Sequence, residues 1–138
     1  MSWTTKLLVI ANRTVDSAEL LDALRARAAA GPIEVTLVAP ADAGRVPTAR
    51  RLERAVERLR EDGITVEGAL GHSDPLVAFE DVWDPRRFDE VIVATLPTGV
   101  SRWMAIDLPH RIARFTDARV THVVAAAGSG QERSRAHA

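Results

Sequence analysis

Five short apolar runs alternate along the chain with segments of helical periodicity, and this alternation restricts the fold more than any other feature. The first and fourth runs have uninterrupted apolar stretches, Leu7–Ala11 and Val91–Ala94, which are typical of strands that are buried on both faces of a sheet. Neighbouring parallel strands need crossover connections, which helices provide on both faces. The sequence therefore predicts an α/β fold, a doubly wound five-stranded parallel sheet. The predicted strands are Lys6–Ala11, Ile33–Val38, Ile64–Leu70, Glu90–Ala94 and Val120–Ala125.

The segments between the apolar runs carry the start and stop signals of helices. The helices are predicted to extend from a cap at Asp16 or Ser17 to Gly31, from Thr48 to about Asp62, from Asp74-Pro75 to Pro85, and from a cap at Asp107 to about Thr116. A long loop is predicted from Ala39 to Thr48, before the second helix. On that helix, Arg54, Glu57 and Arg60 are spaced for i,i+3 ion pairs on a solvent-exposed face.

Length and composition narrow the class of protein. The 138 residues suffice for one domain, placed at residues 1–127, and the small polar segment 128–138 is expected to be a flexible tail. The absence of cysteine excludes disulfides, thiolate metal sites and a cysteine nucleophile. A net charge of −1 gives no general attraction to nucleic acid or anionic lipid. The longest aliphatic run, Leu7 to Ala11, is too short to span a bilayer. We therefore expect a cytoplasmic protein that binds neither nucleic acid nor membranes.

The sequence lacks several motifs of nucleotide-handling enzymes. No glycine occurs between Asn12 and Asp16, where a dinucleotide-binding loop needs them, and no P-loop motif is present. The segment after Gly99 is similar in spacing to the G-x-S-x-G nucleophile elbow, but Trp103 stands where that crowded turn needs its second glycine. The histidines have no third ligand at a suitable spacing. Neither a metal site nor a catalytic residue is predicted.

In doubly wound sheets, ligands bind beyond the carboxyl ends of the strands, where the strand order reverses. If the order is 3-2-1-4-5, the crevice lies between the loop after the first strand and the loop Thr95–Arg102 after the fourth. Hydroxyls, loop amides and an arginine in this second loop suit an anion such as phosphate or sulfate, although a tight turn alone would also explain them. The candidate binding residues are Asn12, Val38, Thr95, Thr98, Gly99, Ser101 and Arg102.

The order of the elements, together with the stretch from Val91 to Val124, resembles the universal stress protein family across residues 5–126. The resemblance implies a sheet of order 3-2-1-4-5 and a homodimer. We place the dimer contact at the last strand, Val120–Ala125, because this order leaves that apolar strand at an uncovered edge. The segment TLPTGVSRWMAIDLPHRI is similar to an actinobacterial branch of the family.

Nucleotide-binding members of that family carry an aspartate after the first strand and the motif G-x2-G-x9-G-S/T after the fourth. In this chain Asn12 replaces the aspartate, and only Gly99 of the glycines is kept. Asp107-Leu108 stands near the position of the final glycine and hydroxyl pair. A carboxylate cap at Asp107 would satisfy the following helix and repel a second anion, so ATP is expected to bind poorly.

Together these features predict a binding or regulatory module of the stress response, with a degenerate nucleotide or anion crevice and no catalysis. One alternative is a universal stress protein that binds ATP or AMP. The other is a small phosphoester hydrolase that uses the crevice between Asn12 and Ser101.

Overall fold

The computed structural model describes residues 3–42, 44–97 and 107–125. The strands in these ranges are β1 (Thr5–Ile10), β2 (Ile33–Pro40), β3 (Thr65–Gly71), β4 (Glu90–Thr95) and β5 (Arg119–Val124). The helices in these ranges are α1 (Ala18–Ala30), α2 (Arg45–Glu61), α3 (Pro75–Val82) and α4 (Leu108–Ala113). Each strand and helix that the sequence predicts is present, with ends that differ by a few residues.

The sheet has the order β3-β2-β1-β4-β5, and its neighbouring strands are parallel. This confirms the predicted doubly wound architecture. In the central strand β1, Leu7 pairs with Val35 of β2, and Val9 pairs with Ile92 of β4. Leu7, Leu8 and Val9 are fully buried, although successive residues point to opposite faces. Burial on both faces is the reason that β1 is continuously apolar from Leu7 to Ile10 instead of alternating with polar residues.

Different helices cover the two faces of the sheet. The side chains of Leu7 and Val9 pack with α1 and α2, whereas those of Leu8 and Ile10 pack with α3 and α4. On the second face, Phe79 of α3 is among the largest fully buried side chains. The connections after β1 and β2 therefore cross one face of the sheet, and those after β3 and β4 cross the other.

The start of α1 agrees with the prediction, whereas α2 begins earlier than predicted. Of the two caps predicted for α1, Asp16 and Ser17, the structure has Ser17, whose hydroxyl accepts a hydrogen bond from the backbone N–H of Leu20 at 3.2 Å. α2 begins at Arg45, so the predicted long loop is mostly absent. Gly44 has a φ of 93°, a left-handed conformation that glycine adopts without strain. Pro47 fits the first helical turn, where its missing N–H is not needed.

The two edges of the sheet are β3 and β5. On β5 the side chains from Val120 to Val123 are partly exposed, and Val124 is 51% exposed. On β3 the helix α2 approaches closely at Gly68, where a Cβ atom would lie 2.9 Å from Cγ2 of Val56. Beyond β4, the edge strand β5 has no second neighbouring strand within the described chain.

None of the described helices combines the length and the apolar character that a membrane crossing requires. The predicted C-terminal tail, residues 128–138, lies outside the described residues. Its flexibility stays a prediction.

Candidate functional site

The candidate site is the carboxyl-terminal edge of the sheet between β1 and β4. These strands are neighbours, yet α1, which follows β1, packs on one face and α4, which follows β4, packs on the other. This divergence is the arrangement that opens a crevice in doubly wound sheets. Three buried polar residues lie here, namely Asn12, Thr14 and Thr95. Thr14 connects the loop after β1 to β4, since its hydroxyl donates to the carbonyl of Ala94 at 3.0 Å.

Asn12 joins the ends of β1, β2 and α2 through its side-chain amide. Its Nδ2 donates to the carbonyl oxygen of Pro40 at 2.6 Å and also to the Asp42 carboxylate. Its Oδ1 accepts from the Thr48 hydroxyl at 3.3 Å and from Nη2 of Arg51 at 3.1 Å. Acceptors surround the nitrogen and donors surround the oxygen, which fixes the orientation of the amide. Its full hydrogen-bonding capacity is used within the chain. We call these five residues the Asn12 network.

The Asn12 network requires an amide and not a carboxylate at position 12. A carboxylate has no N–H to donate to the carbonyl of Pro40. It would also place a second negative charge against Asp42 at a position that is 2% exposed. Position 12 therefore carries an amide in place of the expected aspartate, and the acidic residue Asp42, just after β2, accepts a hydrogen bond from that amide.

Arg51 lies beside this amide and forms no ion pair with a carboxylate of the described residues. Its Nε is buried and has no hydrogen-bond partner in the described part of the chain. Burial lowers the pKa of the guanidinium from its ordinary value, and the positive charges of Arg13 and Arg54 act in the same direction. The carboxylates of Asp16 and Asp42 oppose this shift. Four charged side chains therefore interact electrostatically with Arg51, and two of them, Arg13 and Arg54, are positive.

Arg54 has a different partner from the one the helical spacing predicts. Its Nη2 lies 3.5 Å from Oδ2 of Asp16, whose side chain is 17% exposed. The predicted pairs of Glu57 with Arg54 and with Arg60 are not formed, and Nη2 of Arg60 donates to the carbonyl of Val66 at 3.1 Å. Each arginine thus contacts a residue outside α2 in place of Glu57: Arg54 contacts Asp16, and Arg60 contacts Val66 of β3. Arg54 and Arg60 are nevertheless exposed, so the predicted solvent-exposed face is confirmed and only its predicted ion pairs are wrong.

At the end of β4, Thr95 is held by the edge strand β5. Its Oγ1 lies 2.6 Å from Nε2 of His122, and its carbonyl accepts from the backbone N–H of Ala125 at 2.8 Å. Burial lowers the pKa of His122 from its ordinary value of 6.5, and the positive charge of His110 acts in the same direction. The neutral form of His122 is therefore favoured, and the hydroxyl of Thr95 is engaged.

The candidate residues predicted from the sequence divide into two groups. Asn12, Val38 and Thr95 do lie at this end of the sheet, but their exposed fractions are only 2%, 1% and 1%. The side chain of Val38 packs in the core, and its carbonyl accepts from the N–H of Ala11 at 3.1 Å. β2 continues to Pro40, so its end lies beyond Val38. The other candidates lie outside the described residues and stay predictions: Thr98, Gly99, Ser101 and Arg102.

Asp107 does not cap α4 in the predicted way. Its backbone has a φ of 56° and a ψ of 48°, and its side chain makes no capping hydrogen bond. The carboxylate instead contacts Nδ1 of His110, at 2.8 Å from Oδ1 and 3.0 Å from Oδ2. A capping side chain needs an extended backbone at its own residue, which Asp107 lacks. The predicted repulsion of a ligand by a capping carboxylate therefore loses its geometric basis.

Sequence reasoning missed the partners of Asn12. A signal was present, because Thr48 and Arg51 are three residues apart on α2 and therefore share a face. That face also carries Leu52 and Ala55, which are buried. An arginine beside an apolar stripe is normally interpreted as solvent-exposed, since its long side chain reaches water. Its partner Asn12 is 39 residues away in sequence, which no local pattern shows.

Comparison with known proteins gives a relationship at the level of the fold. No family profile and no curated protein matches the sequence. Among solved structures, the chain is similar to one described as a crystal structure of universal stress protein in complex with cAMP. The TM-score is 0.65 at 17% sequence identity, and the match covers 93% of this chain and 100% of that chain. The fold of this protein is thus the α/β fold of a universal stress protein.

Proposed function

We propose that this chain is a universal stress protein-like binding module. Its ligand is a nucleotide, or a smaller phosphate or sulfate anion, held between the ends of β1 and β4 and released unchanged. The observation that carries the proposal is the reversal of strand order at this point, where Asn12, Thr14 and Thr95 are buried and hydrogen-bonded. The similar structure was solved with cAMP, which supports a nucleotide as the ligand class.

The buried polar side chains hold the ends of the strands in place through hydrogen bonds within the chain, so they are not free to contact a ligand. The amide of Asn12 has four partners, so a ligand that uses it has to displace one of them. A hydrogen bond contributes a net of about 1 kcal/mol, which is roughly a fivefold loss of affinity for each bond displaced. We therefore expect direct contacts from the surrounding donors, including the predicted residues Thr98, Gly99, Ser101 and Arg102. Weak binding of ATP follows from this cost and from the missing glycines of the family motif.

The chemistry of the described residues favours binding over hydrolysis. A general base has to be free to reach the proton that it removes. The carboxylate of Asp16 is paired with Arg54, and that of Asp42 accepts from Asn12. In residues 3–42, 44–97 and 107–125, no three His, Asp or Glu side chains are grouped to hold a metal ion. The pairing of these two carboxylates supports a module that binds without reacting.

The proposal is tested on freshly purified protein in two steps. Native mass spectrometry detects co-purified nucleotide, and ¹H–¹⁵N NMR titrations with cAMP, AMP and ATP then locate the site. We expect saturable shifts at residues after β1 and β4, with ATP weaker than about 100 μM, or about −5.5 kcal/mol. Tight ATP binding would favour the alternative of an ATP-binding universal stress protein. Absence of saturable shifts, or turnover of the nucleotide seen by ³¹P NMR, would overturn the proposal.

We also propose that the chain forms a homodimer through β5. This edge strand pairs with β4 on one side and has no partner strand on its outer side in the described chain. Val124 is 51% exposed, and Val120 and Val123 are partly exposed. An uncovered apolar edge favours pairing with a second copy. Light scattering should give twice the chain mass of 15.0 kDa at micromolar concentration. A mass of one chain would refute the dimer.

A further inference from the structure

The proposed crevice does not account for Arg51. Of the five N–H donors of a guanidinium, one has a partner among the described residues: Nη2 donates to Oδ1 of Asn12 at 3.1 Å. Nε is buried without a partner in the same part of the chain. Buried donors in native proteins are almost always hydrogen-bonded, so an unpaired one needs a specific explanation. The group that Arg51 does contact is a neutral amide, and no carboxylate of the described residues forms an ion pair with it.

The charges around Arg51 leave an excess of positive charge. Three guanidinium groups, those of Arg13, Arg51 and Arg54, interact with two carboxylates. The carboxylate of Asp16 is already paired with Arg54 at 3.5 Å, and that of Asp42 accepts from the neighbouring amide. Arg13 is exposed and has no ion-pair partner in the described ranges. An anion close to Arg51 would therefore be attracted by the guanidinium groups of Arg13 and Arg51, which form no ion pair with a carboxylate of the described residues.

We propose that Arg51, flanked by Arg13 and Arg54, forms a phosphate-binding subsite on the α2 side of the crevice. Its ligand is the dianion of a phosphomonoester or of inorganic phosphate. This inference goes beyond the proposed function, which assigns anion binding to the loop after β4 and gives α2 no role. It requires no nucleoside.

The chemistry favours a phosphate group over a carboxylate. A planar guanidinium donates two parallel hydrogen bonds to phosphate oxygens, and phosphate carries enough oxygens and charge to engage more than one arginine. Arg51 is suited to this role because its position is fixed: it extends from α2, and the Oδ1 of Asn12 holds one side of its guanidinium. Asn12 thereby acts as a positioning residue for Arg51.

The first test compares two adjacent arginines of α2. Arg51→Gln removes the proposed ligand, whereas Arg50→Gln makes the same change of charge at an exposed residue of the same helix. Calorimetry with inorganic phosphate at low ionic strength should show an affinity about tenfold or more weaker for R51Q and changed less than about twofold for R50Q. Equal losses in both variants would indicate a general charge effect and overturn the subsite. No phosphate binding by the wild type would overturn it as well.

A second measurement avoids reliance on R51Q if that variant does not fold. In the wild-type protein, the ¹H–¹⁵N resonance of the Arg51 side chain should shift saturably with phosphate. Arg51→Lys keeps the charge but loses the planar donor pair, and should weaken phosphate binding while the variant melts close to the wild type. A side-chain resonance that does not move while phosphate binds would refute the assignment.

The source of the phosphate is distinguished by parallel titrations with inorganic phosphate, AMP, cAMP and adenosine. If the subsite holds the phosphate of a nucleotide, AMP should bind more tightly than phosphate and lose affinity in R51Q. If it holds a free phosphate, only the phosphate titration should depend on Arg51. Binding of cAMP or adenosine that is unaffected by R51Q reports on the proposed nucleotide crevice alone, so the two proposals fail independently. Dependence on Arg51 in none of the titrations overturns the inference.

Discussion

Replacing Asn12 with aspartate preserves the shape of the side chain and removes its two N–H donors. In the structure, Nδ2 donates to the carbonyl of Pro40 at 2.6 Å and to the carboxylate of Asp42. The substitution therefore leaves a buried carbonyl unpaired and adds a negative charge to a side chain that is 2% exposed. N12D should destabilise the fold although it restores the residue expected from the family resemblance.

The size of the effect follows from these contacts. Leaving a buried acceptor unpaired costs about 1–3 kcal/mol. Two carboxylates about 4 Å apart repel each other by about 4 kcal/mol at an effective dielectric constant of 20. The guanidinium of Arg51, 3.1 Å from the oxygen of Asn12 in the wild type, offsets part of this repulsion. We expect the free energy of unfolding to fall by about 2–4 kcal/mol and the melting temperature by about 10 °C.

Urea denaturation and thermal melting of N12D, D42N and N12D/D42N measure this effect. The double variant exchanges the positions of amide and carboxylate, so a donor again faces an acceptor between residues 12 and 42. It should recover part of the stability lost in N12D, with a coupling of about 1–3 kcal/mol between the two sites. The reasoning is refuted if N12D melts within about 2 °C of the wild type, or if D42N gives no relief.

Three further substitutions test the surrounding structure. Because the pKa of His122 is lowered from 6.5, the unfolded chain gains a proton first as the pH falls. The wild type should therefore lose more stability than H122Q between about pH 7 and about pH 5 in urea denaturation, and equal losses would contradict this. G68A places a Cβ 2.9 Å from Cγ2 of Val56 and should lower the free energy of unfolding by about 1–3 kcal/mol. An unchanged urea midpoint would mean that α2 can move away from β3 without loss of stability. V124K adds a charge to the β5 edge and should give monomers in light scattering; a persisting dimer would mean a different interface.

The order of secondary-structure elements was predictable because each depends on a short-range pattern. The apolar run of β1 is visible in the sequence because helices cover both faces of that strand. The start of α2 was less predictable, since Gly44 and Pro47 are common both in loops and at helix starts. Packing of the helix on β2 and β3 decides between these uses, and no local pattern contains that packing.

The candidate site was predictable in location but not in its contacts. The strand order places Asn12 and Thr95 at the switch point, as expected. The hydrogen bonds of these residues come from distant segments, with His122 lying 27 residues from Thr95 and Arg51 lying 39 residues from Asn12. At Asp107 the local pattern predicted a cap that the structure does not have. The residue adopts a left-handed backbone, and its carboxylate contacts His110.

The sequence by itself determined the fold class, because five strand-length segments alternate with helical ones and the central strands β1 and β4 are apolar where both faces are buried. It also determined that position 12 carries an amide, although not the reason. Only the tertiary structure decided that this amide is saturated by Pro40, Asp42, Thr48 and Arg51, and that Arg51 keeps a buried unpaired donor. Hydrogen bonds and charge interactions act over a few ångströms between segments that the sheet brings together, so they become fixed only when the strands have assembled.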